Sequence, residues 1–132
     1  MSLALALDFQ YKTSIEKLWS ALTDSNTLAK WVLPNDFKPV VGQRFQFRAE
    51  PTEWWDGLIE GEVLIVDAPN RLSYTWASGG EQHTVVWTLQ DLGEGKVNLH
   101  LDQTGFANEQ GLNGAKYGWS KWQGELEKLL AQ

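Results

Sequence analysis

Two histidines, one glutamine in an apolar row and a group of carboxylates are the side chains in this 132-residue sequence that could carry chemistry. His100 and Asp102 stand two apart in a segment that alternates from Val97 to Thr104, so a strand would project both from one face. That is the spacing of a metal-ligand or acid/base pair, but the same alternation assigns the face to solvent, and two ligands do not close a site. No metal and no cofactor is expected. His83 belongs to the row His83, Val85, Trp87, Leu89 and sits at its hairpin end, beside Gly79-Gly80. It reads either as a hydrogen-bonding group at a pocket rim or as an ordinary exposed strand-end histidine. Neither histidine has a serine partner recognisable in the sequence. Gln103 interrupts the apolar row Val97, Leu99, Leu101. Its amide can donate and accept but cannot titrate near neutrality, which makes it a binding handle rather than a proton carrier. Glu53, Asp56, Glu60 and Glu62 surround Trp54-Trp55; they read as a solvated loop and strand face, or as the lip of a portal.

Composition narrows what such groups could serve. The length suits one domain spanning residues 1–132 with a real core. With no cysteine there is no disulfide frame, thiolate metal site or cysteine nucleophile. A formal charge of -6 repels a phosphate backbone, so nucleic acid is not an expected partner. No apolar run approaches the roughly eighteen residues of a membrane span, and the opening MSLALALDFQ lacks a basic leader region, so no membrane insertion and a cytoplasmic location are expected. Eight tryptophans are the unusual feature. They suit flat, greasy ligands and interfaces, and equally a small aromatic core.

The elements that must position these residues follow from periodicity. Leu3 to Tyr11 alternates as a half-buried strand. Thr13-Ser-Ile-Glu16 matches a capping box, and Ile15, Leu18, Trp19 and Leu22 follow on one helical face. A second short helix carries Leu28 and Trp31 and ends before Pro34. An irregular loop follows, with Phe37 as an anchor. Strands then carry Phe45 and Phe47, residues 58–66, and Leu72, Tyr74 and Trp76. The run Val63-Leu64-Ile65-Val66 admits an inward assignment only with a bulge. Asp67-Ala-Pro-Asn70 has the composition of a type I turn, and Gly79-Gly80 and Gly93-Glu94-Gly95 mark two hairpins.

The final stretch, Gly111 to Leu130, carries Leu112, Ala115, Trp119, Trp122, Leu126, Leu129 and Leu130 at alternating steps of three and four, one face of a long helix. Gly111, Gly114 and Gly118 lie on the shoulder of that stripe. They leave room beside the tryptophans or simply permit close backbone approach. Helices at the start and end with strands between give an α+β fold with a curved antiparallel sheet, and only the terminal helix is long enough to cover it. A hollow between helix and sheet would be lined by Trp76, Trp87, Leu101, Gln103, Trp119 and Trp122, with Phe45, Phe47, Phe37 and Trp31 beyond them. Tyr117 falls well away from the stripe and is left out.

The segments Ser14 to Thr23, Leu28 to Trp31, Val41-Gly42-Gln-Arg-Phe45, Arg71 to Trp76, Val85 to Leu89, Thr104-Gly-Phe106 and Gly118-Trp119, in that order, resemble the family named for the activator of Hsp90 ATPase homologue. The resemblance implies the helix-grip fold of the START-like, or Bet v 1-like, superfamily: a strand, two small helices, a curved antiparallel sheet and a long helix over a cavity. The family pattern often has a histidine where this chain has Gln103, which weakens a proton-transfer role there. The superfamily includes binders of lipid or polyketide-type ligands, cyclases and an Hsp90 co-chaperone domain, so fold alone leaves function open. The leading expectation is a protein that binds a small apolar or aromatic molecule. A polyketide cyclase- or hydrolase-like enzyme is the alternative, and a chaperone-regulating module a third; a homodimer and a chaperone contact both stay open.

Overall fold

The computed structural model describes residues 3–53 and 55–131. The elements run β1 (Leu3–Lys12), α1 (Ile15–Thr23), α2 (Ser25–Trp31), β2 (Arg44–Arg48), β3 (Leu58–Asp67), β4 (Arg71–Ser78), β5 (Glu81–Gly93), β6 (Lys96–Phe106) and α3 (Glu109–Leu130). All strand pairs are antiparallel, in the order β1-β6-β5-β4-β3-β2. Strands β2 to β6 form a meander, and β1 returns to pair with β6. This is the α+β helix-grip arrangement.

Alternation decides which face is covered. Tyr74 and Trp76 of β4, Val85, Trp87 and Leu89 of β5, and Val97, Leu99, Leu101 and Gln103 of β6 are buried on the side facing the helices. Trp119, Leu126 and Leu130 of α3 meet them with the buried stripe of the helix. Two contacts tether α3 along its C-terminal half: the Tyr11 hydroxyl donates to Gln123 Oε1 at 3.3 Å, and Lys17 Nζ to the Leu130 carbonyl at 3.1 Å.

Three local readings change. Helix α1 is capped by Ser14, whose hydroxyl accepts from the Lys17 N–H at 3.1 Å, and not by Thr13. Thr13 Oγ1 is buried without a partner among the described residues. Asp24 ends α1 and caps α2, accepting from the Thr27 N–H at 3.0 Å, so one residue serves two helix termini. The turn at Asp67–Asn70 contains a cis Ala68–Pro69 bond with Asn70 N–H donating to the Asp67 carbonyl, a type VI turn instead of type I. The bulge anticipated in β3 is present: register shifts between Val63 and Ile65, leaving Val63 buried and Leu64 and Ile65 exposed. Helix α3 starts two residues before Gly111, because Asn108 caps it by accepting from the Gly111 N–H at 2.8 Å.

Candidate functional site

The ten residues expected around a hollow form one connected cluster on the covered face of the sheet. Trp119 is the hub. Its ring centroid is 5.3 Å from Trp76, 5.1 Å from Trp87 and 5.2 Å from Trp122. Trp87 touches Trp31 of α2 edge-on at 6.5 Å, and the Trp31 indole N–H is tied to the Ala21 carbonyl at 2.8 Å. Trp76 leads on to Phe47 at 5.4 Å, and Phe47, Phe45 and Phe37 continue the chain of rings at 5.6 and 5.0 Å. Leu101 pairs across the strands with Trp87. All ten are buried except Trp122, which is half-buried. Edge-to-face contacts of this kind contribute about 0.5–1.5 kcal/mol each beyond the area they bury. The rings of Trp76, Trp87, Trp119 and Trp122 rest on one another.

Gln103 is 1% exposed and both ends of its amide are engaged. Its Oε1 accepts from the Trp119 indole N–H at 2.7 Å, and its Nε2 lies 2.7 Å from His83 Nδ1. His83 Nε2 in turn lies 2.7 Å from Glu81 Oε1, which also accepts from the Ala107 backbone N–H at 3.0 Å. Four groups thus form one line from the interior to the surface just ahead of α3. The close approach of β6 to β5 beside this line depends on Gly105: its φ is +102°, and a Cβ there would sit 2.7 Å from the Gln82 carbonyl oxygen. The hydrogen bonds from His83 and the Ala107 N–H hold the Glu81 carboxyl below the usual carboxylate range. His83 is half-buried and hydrogen-bonded through both ring nitrogens, so it is not an exposed strand-end histidine.

A second polar group was missed from sequence. Tyr74 accepts the Trp87 indole N–H at 2.8 Å, and its own hydroxyl hydrogen has no acceptor among the described residues. Burial pushes its phenol well above the ordinary range. Its signal was available, since Tyr74 shares the strand row of Trp76, but a tyrosine in an aromatic row is easily taken for core alone.

The outer face holds the other cluster. His100 Nδ1 is 2.8 Å from Asp8 Oδ1 and its Nε2 3.1 Å from Asp102 Oδ2. The hydrogen bond to Asp8, with the charge of Asp102, raises the His100 pKa, and bonds from Asn98 and His100 lower that of Asp8. Each imidazole nitrogen is spent on a different carboxylate, and among the described residues no group of three or more metal-ligating side chains is placed to hold an ion. Glu53, Asp56 and Glu60 are exposed; Glu62 is half-buried and loosely paired with Arg44 at 3.8 Å. Trp54 lies outside the described residues. Trp55 packs against the core with its indole nitrogen buried and without a partner among the described residues, beside the Gly79-Gly80 hairpin.

The glycine shoulder of α3 is not a site of close packing. A Cβ at Gly114 or Gly118 would meet nothing within 4 Å, and one at Gly111 only makes ordinary contact with Asn108 and Phe106. Gly111 and Gly114 are exposed and Gly118 half-buried, so the space beside them opens to solvent, and close backbone approach is not what the glycines serve. Tyr117 is 72% exposed, away from the aromatic cluster. No helix among the described residues is long and apolar enough to cross a membrane.

Comparison with known proteins places this architecture. Protein MLL2253 from Mesorhizobium loti is 34% identical, covering 98% of this chain and 97% of its own, with a TM-score of 0.89. CalU16 from Micromonospora echinospora is 22% identical over 96% of this chain and 75% of its own, with a TM-score of 0.82. PFC0360w, an HSP90 activator from Plasmodium falciparum, is 20% identical over 97% and 96%, with a TM-score of 0.80. At those identities the last two show likeness of fold. No curated protein matches the sequence. Residues 12–131 match the family described as Activator of Hsp90 ATPase homolog 1-like protein, and the chain belongs to that family.

Proposed function

We propose that the protein binds a small apolar or aromatic molecule, of lipid or polyketide type, between α3 and the sheet. Trp76, Trp87, Leu101, Gln103, Trp119 and Trp122 form the lining, with Phe45, Phe47, Phe37 and Trp31 behind them. The observation that carries this reading is Gln103, a fully buried amide placed among tryptophans and held in one orientation. A core built for stability alone has no need of the whole line, because a buried amide must be matched by partners such as the Trp119 indole and His83 merely to offset its burial. Entry is at the α3 start, where Gly111 and Gly114 each weaken the helix by about 1 kcal/mol relative to alanine. The reading requires no cofactor or metal.

Saturable quenching of tryptophan fluorescence on titration with flat phenolics and fatty acids is the expected result. No saturable change across a broad panel overturns the proposal. Amide exchange should be faster at Gly111–Gly118 than at Leu126–Leu130, and uniform protection along α3 counts against entry at its start.

The enzyme alternative draws on one observation, the Glu81–His83 pair at 2.7 Å. Both nitrogens of His83 are already committed, so general acid/base work would first have to free one from Gln103 or Glu81. The chaperone alternative rests on the family and on fold likeness to PFC0360w; retention of Hsp90 in stoichiometric amounts on the immobilised protein would favour it.

A further inference from the structure

Resting on the binding reading above, we propose that the site selects flat aromatic ligands that carry a hydrogen-bond donor, and that Glu81 and His83 are positioning residues which set this preference by fixing the Gln103 carbonyl toward the interior. The argument is one of hydrogen-bond polarity. The two ends of the line admit one role each: an ionised carboxylate only accepts and an indole N–H only donates. The two groups between them can each be reversed. With Glu81 accepting, His83 carries its hydrogen on Nε2 and offers Nδ1 as acceptor. The Gln103 amide therefore turns its NH2 to His83 and its carbonyl to Trp119, where the indole donates at 2.7 Å.

Displacement of Trp119 makes the surface end decisive. Trp119 is packed against Trp76, Trp87 and Trp122, and a ligand lying on Trp87 displaces it. The indole then no longer fixes the amide. Only Glu81, acting through His83 and itself anchored by the Ala107 N–H, keeps the carbonyl pointing inward. What the interior presents is an acceptor that has lost its donor. A phenolic O–H or a ring N–H replaces the lost bond, whereas a ligand of the same shape without a donor leaves a buried carbonyl unpaired. A ligand that only partly displaces Trp119 meets the same demand, since a carbonyl oxygen has a second lone pair and no hydrogen to give.

The probes are 2-naphthol and 2-methoxynaphthalene, which share a ring system and differ in the donor. Calorimetric titration of the intact protein should show 2-naphthol binding roughly tenfold more tightly. Gln103→Leu should abolish that ratio. Glu81→Ala changes a half-buried surface side chain and should shrink the ratio without weakening 2-methoxynaphthalene binding, which general loosening of the fold would not do. Nitrogen-15 NMR of His83 should show hydrogen on Nε2 in the parent protein and a mixture of tautomers in Glu81→Ala. Equal affinity for the two probes, or a ratio unchanged in both variants, overturns the inference and leaves the binding reading standing. Failure of both probes and of the wider panel to bind overturns the two together. If Gln103→Leu does not fold, the Glu81→Ala ratio and the His83 tautomer decide alone.

Discussion

His83 and His100 sit on opposite faces of the same sheet, each with both ring nitrogens in hydrogen bonds, and their partners give them opposite characters. His100 has a carboxylate on either side, so both nitrogens are called on to donate. His83 has a carboxylate on one side and an amide NH2 on the other, so one nitrogen donates and the other accepts. The first arrangement favours a charge and lies in water; the second transmits a direction from the surface to the interior. The residue type is the same, and the sequence of acceptors and donors around it decides whether it bridges two carboxylates or orients a neighbour.

That contrast can be broken experimentally. The largest effect should come from Gln103→Leu, which leaves the Trp119 N–H without its acceptor in the interior and His83 without its donor. At about 1–3 kcal/mol for an orphaned buried group, the expected loss is about 2–3 kcal/mol, read from urea unfolding. A change within experimental error would mean that Trp119 finds another partner and that the line is not structural. Tyr74→Phe should cost less, about 1–2 kcal/mol, because only the Trp87 N–H loses a partner and Tyr74 gives up no donated bond.

The smallest effect belongs to the outer cluster and has a defined pH window. The raised His100 pKa means that its contribution is fully present below the unfolded value near 6.5 and is lost as pH rises through the folded value. The lowered Asp8 pKa means a contribution present above the unfolded value near 3.9 and lost as pH falls through the folded one. Between roughly pH 4 and 6.5 both act. Comparing His100→Asn with the parent should therefore show the greatest stability difference at mildly acidic pH and less at pH 9, and a difference that grows toward pH 9 contradicts the assignment. Salt separates the two histidines again: at about 1 M, where screening acts within about 3 Å, the His100 difference should shrink and the Gln103→Leu difference should persist.

How much of this was legible in the chain depended on whether the information was periodic. Alternation placed Trp76, Trp87, Leu101 and Gln103 on one sheet face, and the three-four spacing brought Trp119 and Trp122 against them, because burial of one face imposes a period that a sequence must carry. The partnership of Gln103 with His83 and Glu81 was not legible. It joins neighbouring strands on a diagonal and ends at the Ala107 backbone N–H, a group common to almost every residue type. The cap at Ser14 was missed for a related reason: Thr13 and Ser14 are chemically interchangeable, and only the backbone conformation at Ser14 decides which one turns its hydroxyl to the helix. The isomer of the Ala68–Pro69 bond leaves no trace in composition at all.

The return of β1 to β6 has a consequence for the order in which the chain assembles. Strands β2 to β6 each pair with a sequence neighbour, so the meander grows by closing short loops. Asp8 and His100, by contrast, meet across 92 residues, so seating β1 on β6 closes a far longer loop than any pairing within the meander. Loop-closure entropy places such a long-range pairing late, and slows folding relative to a chain whose contacts are all local. Without β1, β6 is an open edge and α3 lacks the Tyr11 tether, so the aromatic interior is sealed by a strand that comes before the meander in sequence and closes its far side.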